Sequence, residues 1–176
     1  MTVARIAVIG GESTGKTQLA RGLATHHDAI VARDMLRDLV ATLHRTPRRD
    51  EQALILELQA NTLSAASIEA SRTGRSNVIA DPDPFMTAVY SVVYFDDDHL
   101  MPAGLASLRR ARVIVWCRPD IPWVADGQMR DGEEIRLRTD AIIERALADQ
   151  GLPVISTTPD RATHPAWVPD LSAFLP

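Results

Sequence analysis

Cys117 is the only cysteine in a chain of 176 residues. No internal disulfide can form, and nothing argues for an oxidising compartment. No apolar run approaches the roughly 20 residues that a helical membrane span needs. Positive charge is not in excess: 19 Lys and Arg stand against 23 Asp and Glu, for a formal net charge of −4. That balance excludes a broad electrostatic footprint for nucleic acid, although a local basic patch remains open. Residues 1–5 lead directly into an apolar strand and leave no room for a secretory signal, so the cytoplasm is the expected compartment. Internal repeats, low-complexity tracts and linkers are also lacking. With 45% hydrophobic and 24% charged residues, the composition is that of an ordinary soluble globular protein. One domain over 1–176 is expected. Its tail, 157–176, carries Pro159, Pro165, Pro169 and Pro176 and is expected to wrap the surface.

What the chain does contain is Gly10-Gly11-Glu12-Ser13-Thr14-Gly15-Lys16-Thr17, which fits the phosphate-binding loop G-x-x-x-x-G-K-[ST]. The apolar run Ile6-Ala7-Val8-Ile9 before it reads as a buried strand. The stretch after it reads as a helix, and this strand–loop–helix context is what the motif requires. Glycines at 10 and 15 allow backbone angles that a side chain would forbid. The loop can then wrap a phosphate with its N–H groups pointing inward, aided by the positive end of the helix dipole. Lys16 supplies a point charge to the β- and γ-phosphates, and Thr17 offers a hydroxyl to Mg²⁺. Contacts to ATP are expected from Gly11, Glu12, Ser13, Thr14, Gly15, Lys16, Thr17 and Gln18.

The rest of the chain alternates strand and helix. Strands are expected near 3–9, 29–31, 78–80, 112–117 and 153–156. Helices are expected near 16–26, 33–43, 50–71, 85–95, 105–110 and 137–150. In the long helix, Leu54, Leu58, Ala65 and Ile68 suggest the buried face. Such alternation predicts an α/β domain with a mostly parallel sheet covered on both faces. Ligands on such sheets sit beyond the carboxyl ends of the strands, so residues there deserve the closest reading.

Asp81 follows one apolar strand. It can hold the metal or accept a proton from an attacking hydroxyl. Asp83 can contact substrate or cap the next helix. Arg33 can orient an acceptor with its planar fork, and Asp34 is an alternative base or the start of a helix. Between 121 and 136, Trp123 can stack on a flat ring or pack in the core. Asp126 can accept hydrogen bonds from a sugar or base. Arg130, Arg136 and Arg138 can close over phosphates. The run Asp96-Asp97-Asp98-His99 reads as a solvated turn, and Cys117 as a small buried hydrophobe.

Three blocks together resemble the NadR-type nicotinamide riboside kinases and their P-loop ATP-binding relatives: residues 10–17; Asp81-Pro82-Asp83-Pro84-Phe85 with Thr87-Ala88; and Pro122-Trp123-Val124-Ala125-Asp126-Gly127 with Arg130. The third is the most discriminating. The resemblance covers about 3–156. It implies the fold of P-loop containing nucleoside triphosphate hydrolases in its kinase-like form, a five-stranded parallel sheet flanked by helices. It further implies transfer of the ATP γ-phosphate to the 5′-hydroxyl of nicotinamide riboside or a related nucleoside, with Mg²⁺ held at Thr17 and Asp81. Trp123 would face the nicotinamide ring, Asp126 the acceptor, and Arg130 would act from a lid. Ile30 and Val31 stand where that family often carries Glu-Tyr, which leaves the identity of the acceptor open. The competing reading is an ATPase or regulatory switch without a small acceptor. A polynucleotide 5′-kinase is disfavoured by the acidic balance.

Overall fold

The computed structural model describes residues 3–123, 132–148, 150–157 and 168–175. In chain order the elements are β1 (Ala4–Ile9), α1 (Lys16–His26), β2 (Ala29–Val31), α2 (Met35–Leu43), a short 3-10 turn (Arg49–Glu51), α3 (Gln52–Arg72), β3 (Asn77–Ala80), α4 (Pro84–Phe95), α5 (Met101–Leu108), β4 (Val113–Trp116), α6 (Glu133–Leu147) and β5 (Val154–Ser156). The strands form one sheet in the order β2-β3-β1-β4-β5. Every pairing is parallel, as expected when each connection carries a helix.

Side-chain alternation along β1 divides the core into two layers. Ile6 and Val8 join Leu19, Ala20 and Leu23 of α1 on one face. Ala7 and Ile9 join Phe85, Met86 and Val89 of α4 and Ile143 of α6 on the other. Both faces are covered, so the central strands are apolar throughout rather than alternating. In consequence all strand ends of one polarity lie along a single edge. There, Cys117 N–H donates to the Ile9 carbonyl, Ala32 N–H to Ile79 and Thr157 N–H to Trp116. Gly10, Asp81 and Asp34 are thereby brought to the same rim of the sheet.

Five expectations need correction. The buried face of α3 is made by Gln52, Ile55, Gln59, Leu63, Ala66 and Ala70, whereas Leu54 and Ile68 are exposed. Two glutamines and two alanines weaken the apolar stripe that periodicity detects. Gln59 is buried because its amide is fully used: Oε1 accepts from Met35 N–H at 2.9 Å, and Nε2 donates to the Arg33 and Pro82 carbonyls at 3.0 and 3.1 Å. Helix α6 begins at Glu133 rather than near 137, since Glu133 and Glu134 suit the positive end of a helix. Helix α5 likewise starts early, at Met101, with Pro102 in its first turn, where a missing N–H costs nothing. Asp97 is not a solvated turn residue. It is 8% exposed and ion-paired with Arg49 and His99, both at 2.6 Å.

The fifth correction concerns the tail. Residues 168–175 do not merely cover the surface: Leu171 is fully buried among the α1-side residues. The Phe174 carbonyl accepts from Arg112 Nε at 2.8 Å. No helix among the described residues is long and apolar enough to cross a membrane. Leu171→Ala should destabilise the protein by about 2–5 kcal/mol through the cavity it leaves. Denaturant titration checks this; an unchanged midpoint would mean that the tail is not part of the core.

Candidate active site

The loop between β1 and α1 rests on the end of β4. At Gly10, with φ of 143°, a Cβ would fall 2.3 Å from the Cys117 carbonyl oxygen. No side chain fits there, so the first glycine of the motif is a steric requirement. Gly15 has φ of 73° and occupies the N-cap of α1 without a side-chain cap, and no acidic residue lies in the first turn of that helix. The helix therefore offers uncapped N–H groups and its positive dipole end to the loop, the usual arrangement for an anion. Thr14 is buried and its hydroxyl donates to the Gly11 carbonyl at 2.8 Å. The Lys16 ammonium donates to the same carbonyl. Tyr94 of α4 donates to Glu12 Oε1 at 2.9 Å, while Gln18 lies exposed on α1.

Behind the loop stands Asp81, at the end of β3 and 7% exposed. Burial raises its pKa. The positive charge of Lys16 and a hydrogen bond from Thr17 oppose that rise, whereas the carboxylate of Asp34 adds to it. Burial lowers the pKa of Lys16, and Asp81, Cys117, Glu12 and Asp34 oppose that fall. Lys16, Thr17, Asp81 and Asp34 thus share one electrostatic environment. Tyr90 of α4 belongs to it too: burial raises its phenol pKa, and the charges of Glu12, Asp34 and Asp81 raise it further. One carboxylate and one hydroxyl in contact are a donor pair that could hold a magnesium ion together with phosphate oxygens and water.

Asp34 caps α2, accepting from Arg37 N–H at 3.0 Å, and Arg37 Nε lies 3.6 Å from its other oxygen. It still faces the charges of Lys16 and Asp81. Arg33 is exposed and ion-paired with Asp38. Asp83 is corrected as a substrate contact. It is fully buried, paired with Arg5, and its Oδ1 accepts from Phe85 N–H at the start of α4. Both oxygens are spent inside the protein. Trp123 is half-buried. Asp126 and Arg130 lie outside the described residues. Arg136, read as a closing arginine, is instead only 3% exposed and donates to the Ile121 carbonyl at 2.9 Å.

Sequence reasoning missed Tyr90, Tyr94, Arg37 and Gln59. The two tyrosines, with ring centroids 6.0 Å apart, are spaced i,i+4 on one face of α4. That spacing was a readable signal. Nothing in the linear sequence says that this face turns toward the loop.

The buried Asp81 sets up a stability prediction. Its folded pKa lies above the unfolded value of about 3.9, so its charge costs stability above the folded pKa, and the cost fades as pH falls below the unfolded one. Asp81→Asn should therefore raise the melting temperature of the nucleotide-free protein at pH 7–8, and the gain should vanish toward pH 4. Melting curves across this range would contradict the burial argument if the substitution lowered stability at neutral pH.

Comparisons with known proteins place this geometry. No curated protein matches the chain in sequence. Among solved structures, a NadR protein in complex with NR is similar, with a TM-score of 0.75 and 24% identity over 97% of this chain and 54% of that one. NadR in complex with NAD and AMP-PNP gives 0.73 and 24%, over 93% and 48%. The chain thus spans about half the length of these NadR chains. Deoxyadenosine kinase from M. mycoides with bound dATP gives 0.57 and 13%, over 89% and 91%. All three are similar in fold to this chain, whose five-stranded parallel sheet is flanked by helices. A family model for the AAA domain matches residues 5–163, and the chain belongs to that AAA-domain family of P-loop proteins.

Proposed function

We propose that this chain is a P-loop nucleoside kinase that transfers the γ-phosphoryl group of ATP to the 5′-hydroxyl of nicotinamide riboside or a related nucleoside, acting in the cytoplasm as a single domain. The observation that carries the reading is the shared cluster of Lys16, Thr17, Asp81 and Asp34 at the strand ends. A motor or switch needs the loop and a metal carboxylate. A second carboxylate within electrostatic reach is what transfer to a hydroxyl adds. The fold shared with NadR bound to NR and with a deoxyadenosine kinase supports a nucleoside as acceptor.

In this reading the uncapped N-terminus of α1 and the loop N–H groups hold the phosphates. Lys16 leaves the Gly11 carbonyl and moves to the β- and γ-oxygens, where its charge offsets that of the transferring group. Thr17 and Asp81 would hold Mg²⁺, which when bound would supply positive charge against the phosphates. The acceptor oxygen forms a bond to the γ-phosphorus, the bond to the β–γ bridging oxygen breaks, and ADP leaves. Asp34, beside but not inside the metal pair, takes the hydroxyl proton. Trp123 and Asp126 bind the acceptor, Arg33 sits at the rim, and Arg130 closes over the phosphates.

The test is ATP turnover against a nucleoside panel headed by nicotinamide riboside, with mass spectrometry of the product. Acceptor-dependent ADP formation and a phosphorylated nucleoside are expected. Slow turnover that ignores every nucleoside would favour an ATPase or switch instead. Lys16→Ala should lower kcat/KM by about 10²-fold or more; full activity would sink the loop assignment. Trp123→Ala should raise the acceptor KM about tenfold through lost stacking and leave that of ATP nearly unchanged. An unaltered acceptor KM would return Trp123 to a packing role.

A further inference from the structure

Arg136 lies in the first turn of α6, with its side chain only 3% exposed. Its surroundings connect two parts of the site that are far apart in sequence. On one side it meets the phosphate loop. A Cβ added at Gly11 would come within 3.2 Å of the Arg136 carbonyl oxygen, 3.4 Å of its Cγ and 3.5 Å of Thr139 Cβ. On the other side its Nη1 donates to the Ile121 carbonyl at 2.9 Å, two residues before Trp123. Nη2 reaches Glu133 at 3.4 Å, and Nε is buried without a partner among the described residues.

A guanidinium buried with so few partners is expensive, and an apolar side chain of similar volume would avoid that cost. What the arginine adds is a rigid fork that reaches the backbone of the 118–123 segment. The base of this arrangement is firm. Arg118 stacks over Trp116 at 4.1 Å and pairs with Asp140 of α6 at 3.1 Å, which ties the end of β4 to the same helix.

Gly11 is the residue where the two sides meet, because its carbonyl is also the acceptor for Lys16. When a triphosphate draws Lys16 away, that carbonyl loses a charged partner, and Gly11 is in contact with Arg136. We propose that Arg136 is a positioning residue that carries occupancy of the phosphate loop to the acceptor-binding segment at Trp123. The path runs Lys16, Gly11, Arg136, Ile121, Trp123. Coupling is reciprocal, so the acceptor tightens nucleotide by the same factor as nucleotide tightens the acceptor. Arg136 would thus make the placement of Trp123 conditional on an occupied phosphate loop.

This inference rests on the phosphate-transfer reading of the site, and its test does not require the acceptor to be known. The protein is labelled with 5-fluorotryptophan, and the Trp123 signal is assigned by its loss in Trp123→Phe. Addition of Mg–AMP-PNP should shift that ¹⁹F signal in the parent. In Arg136→Met the shift should disappear while the nucleotide Kd stays within about threefold. Arg136→Lys can still donate one bond to the Ile121 carbonyl and should restore part of it. With an active acceptor, Arg136→Met should raise the acceptor KM about tenfold at saturating ATP and, by reciprocity, the ATP KM at saturating acceptor by a similar factor, while the nucleotide Kd measured without acceptor stays nearly constant. An undiminished Trp123 shift in Arg136→Met overturns the proposal. So does a loss of nucleotide affinity as large as the loss of coupling, which would make Arg136 a direct phosphate ligand. If Arg136→Met does not fold, a parental shift in Arg136→Lys overturns it. A parent that binds nucleotide without a Trp123 response sinks this inference alone. A parent that binds no nucleotide sinks the kinase reading and this one with it.

Discussion

The contact between Gly10 and the Cys117 carbonyl is the constraint on which the site depends. The loop leaves β1 by lying directly on the end of β4, at a separation that leaves no space for a Cβ. That close approach fixes where α1 begins. Its uncapped first turn then faces the space above the sheet rather than a side chain of its own. The parallel order β2-β3-β1-β4-β5 puts β3 and β4 on either side of the loop-bearing strand. Asp81 and the segment leading to Trp123 therefore flank the loop as a consequence of topology. The opening at the strand ends has here a specific steric cause.

The site holds its charges in tension with stability. Burial raises the pKa of Asp81 and lowers that of Lys16, so each is retained against the cost of desolvation. The neighbouring Asp83 shows the contrasting solution. It is more deeply buried, but both its oxygens are answered by Arg5 and the α4 backbone. The difference separates a carboxylate that holds the fold from one left able to meet an incoming ion or proton. Gln59 plays a supporting part. Its amide ties the turn carrying Asp34 to the turn carrying Asp81, so that two carboxylates from different strands keep one relative position.

Much of this was readable from local pattern. The phosphate loop needs its glycines, lysine and threonine in consecutive order, and the local chain largely dictates such a structure. The strands were legible as short apolar runs between turn residues, because both faces of the sheet are covered. The face of α3 was not. Its buried stripe depends on Gln52 and Gln59, which are polar and become core residues only because backbone groups from other segments satisfy them. The start of α6 was obscured by glycine and charge in the preceding stretch. The burial of Leu171 depends on where the tail docks, and nothing local specifies that.

The sequence by itself determined a triphosphate loop on a parallel α/β sheet, since motif and hydrophobic period are properties of neighbouring residues. It also nominated the carboxylates, since each follows an apolar strand. Tertiary structure decided which of them stand beside the phosphate loop. Asp81 faces Lys16 and Thr17, whereas Asp83 turns to Arg5. It also made Arg136, expected as a closing arm, a buried brace between Gly11 and Ile121, and brought Tyr90 and Tyr94 to the loop. Those assignments depend on contacts between residues distant in the chain. Burial and partners, which set the chemistry of a charged group, come into being only when those distant segments meet.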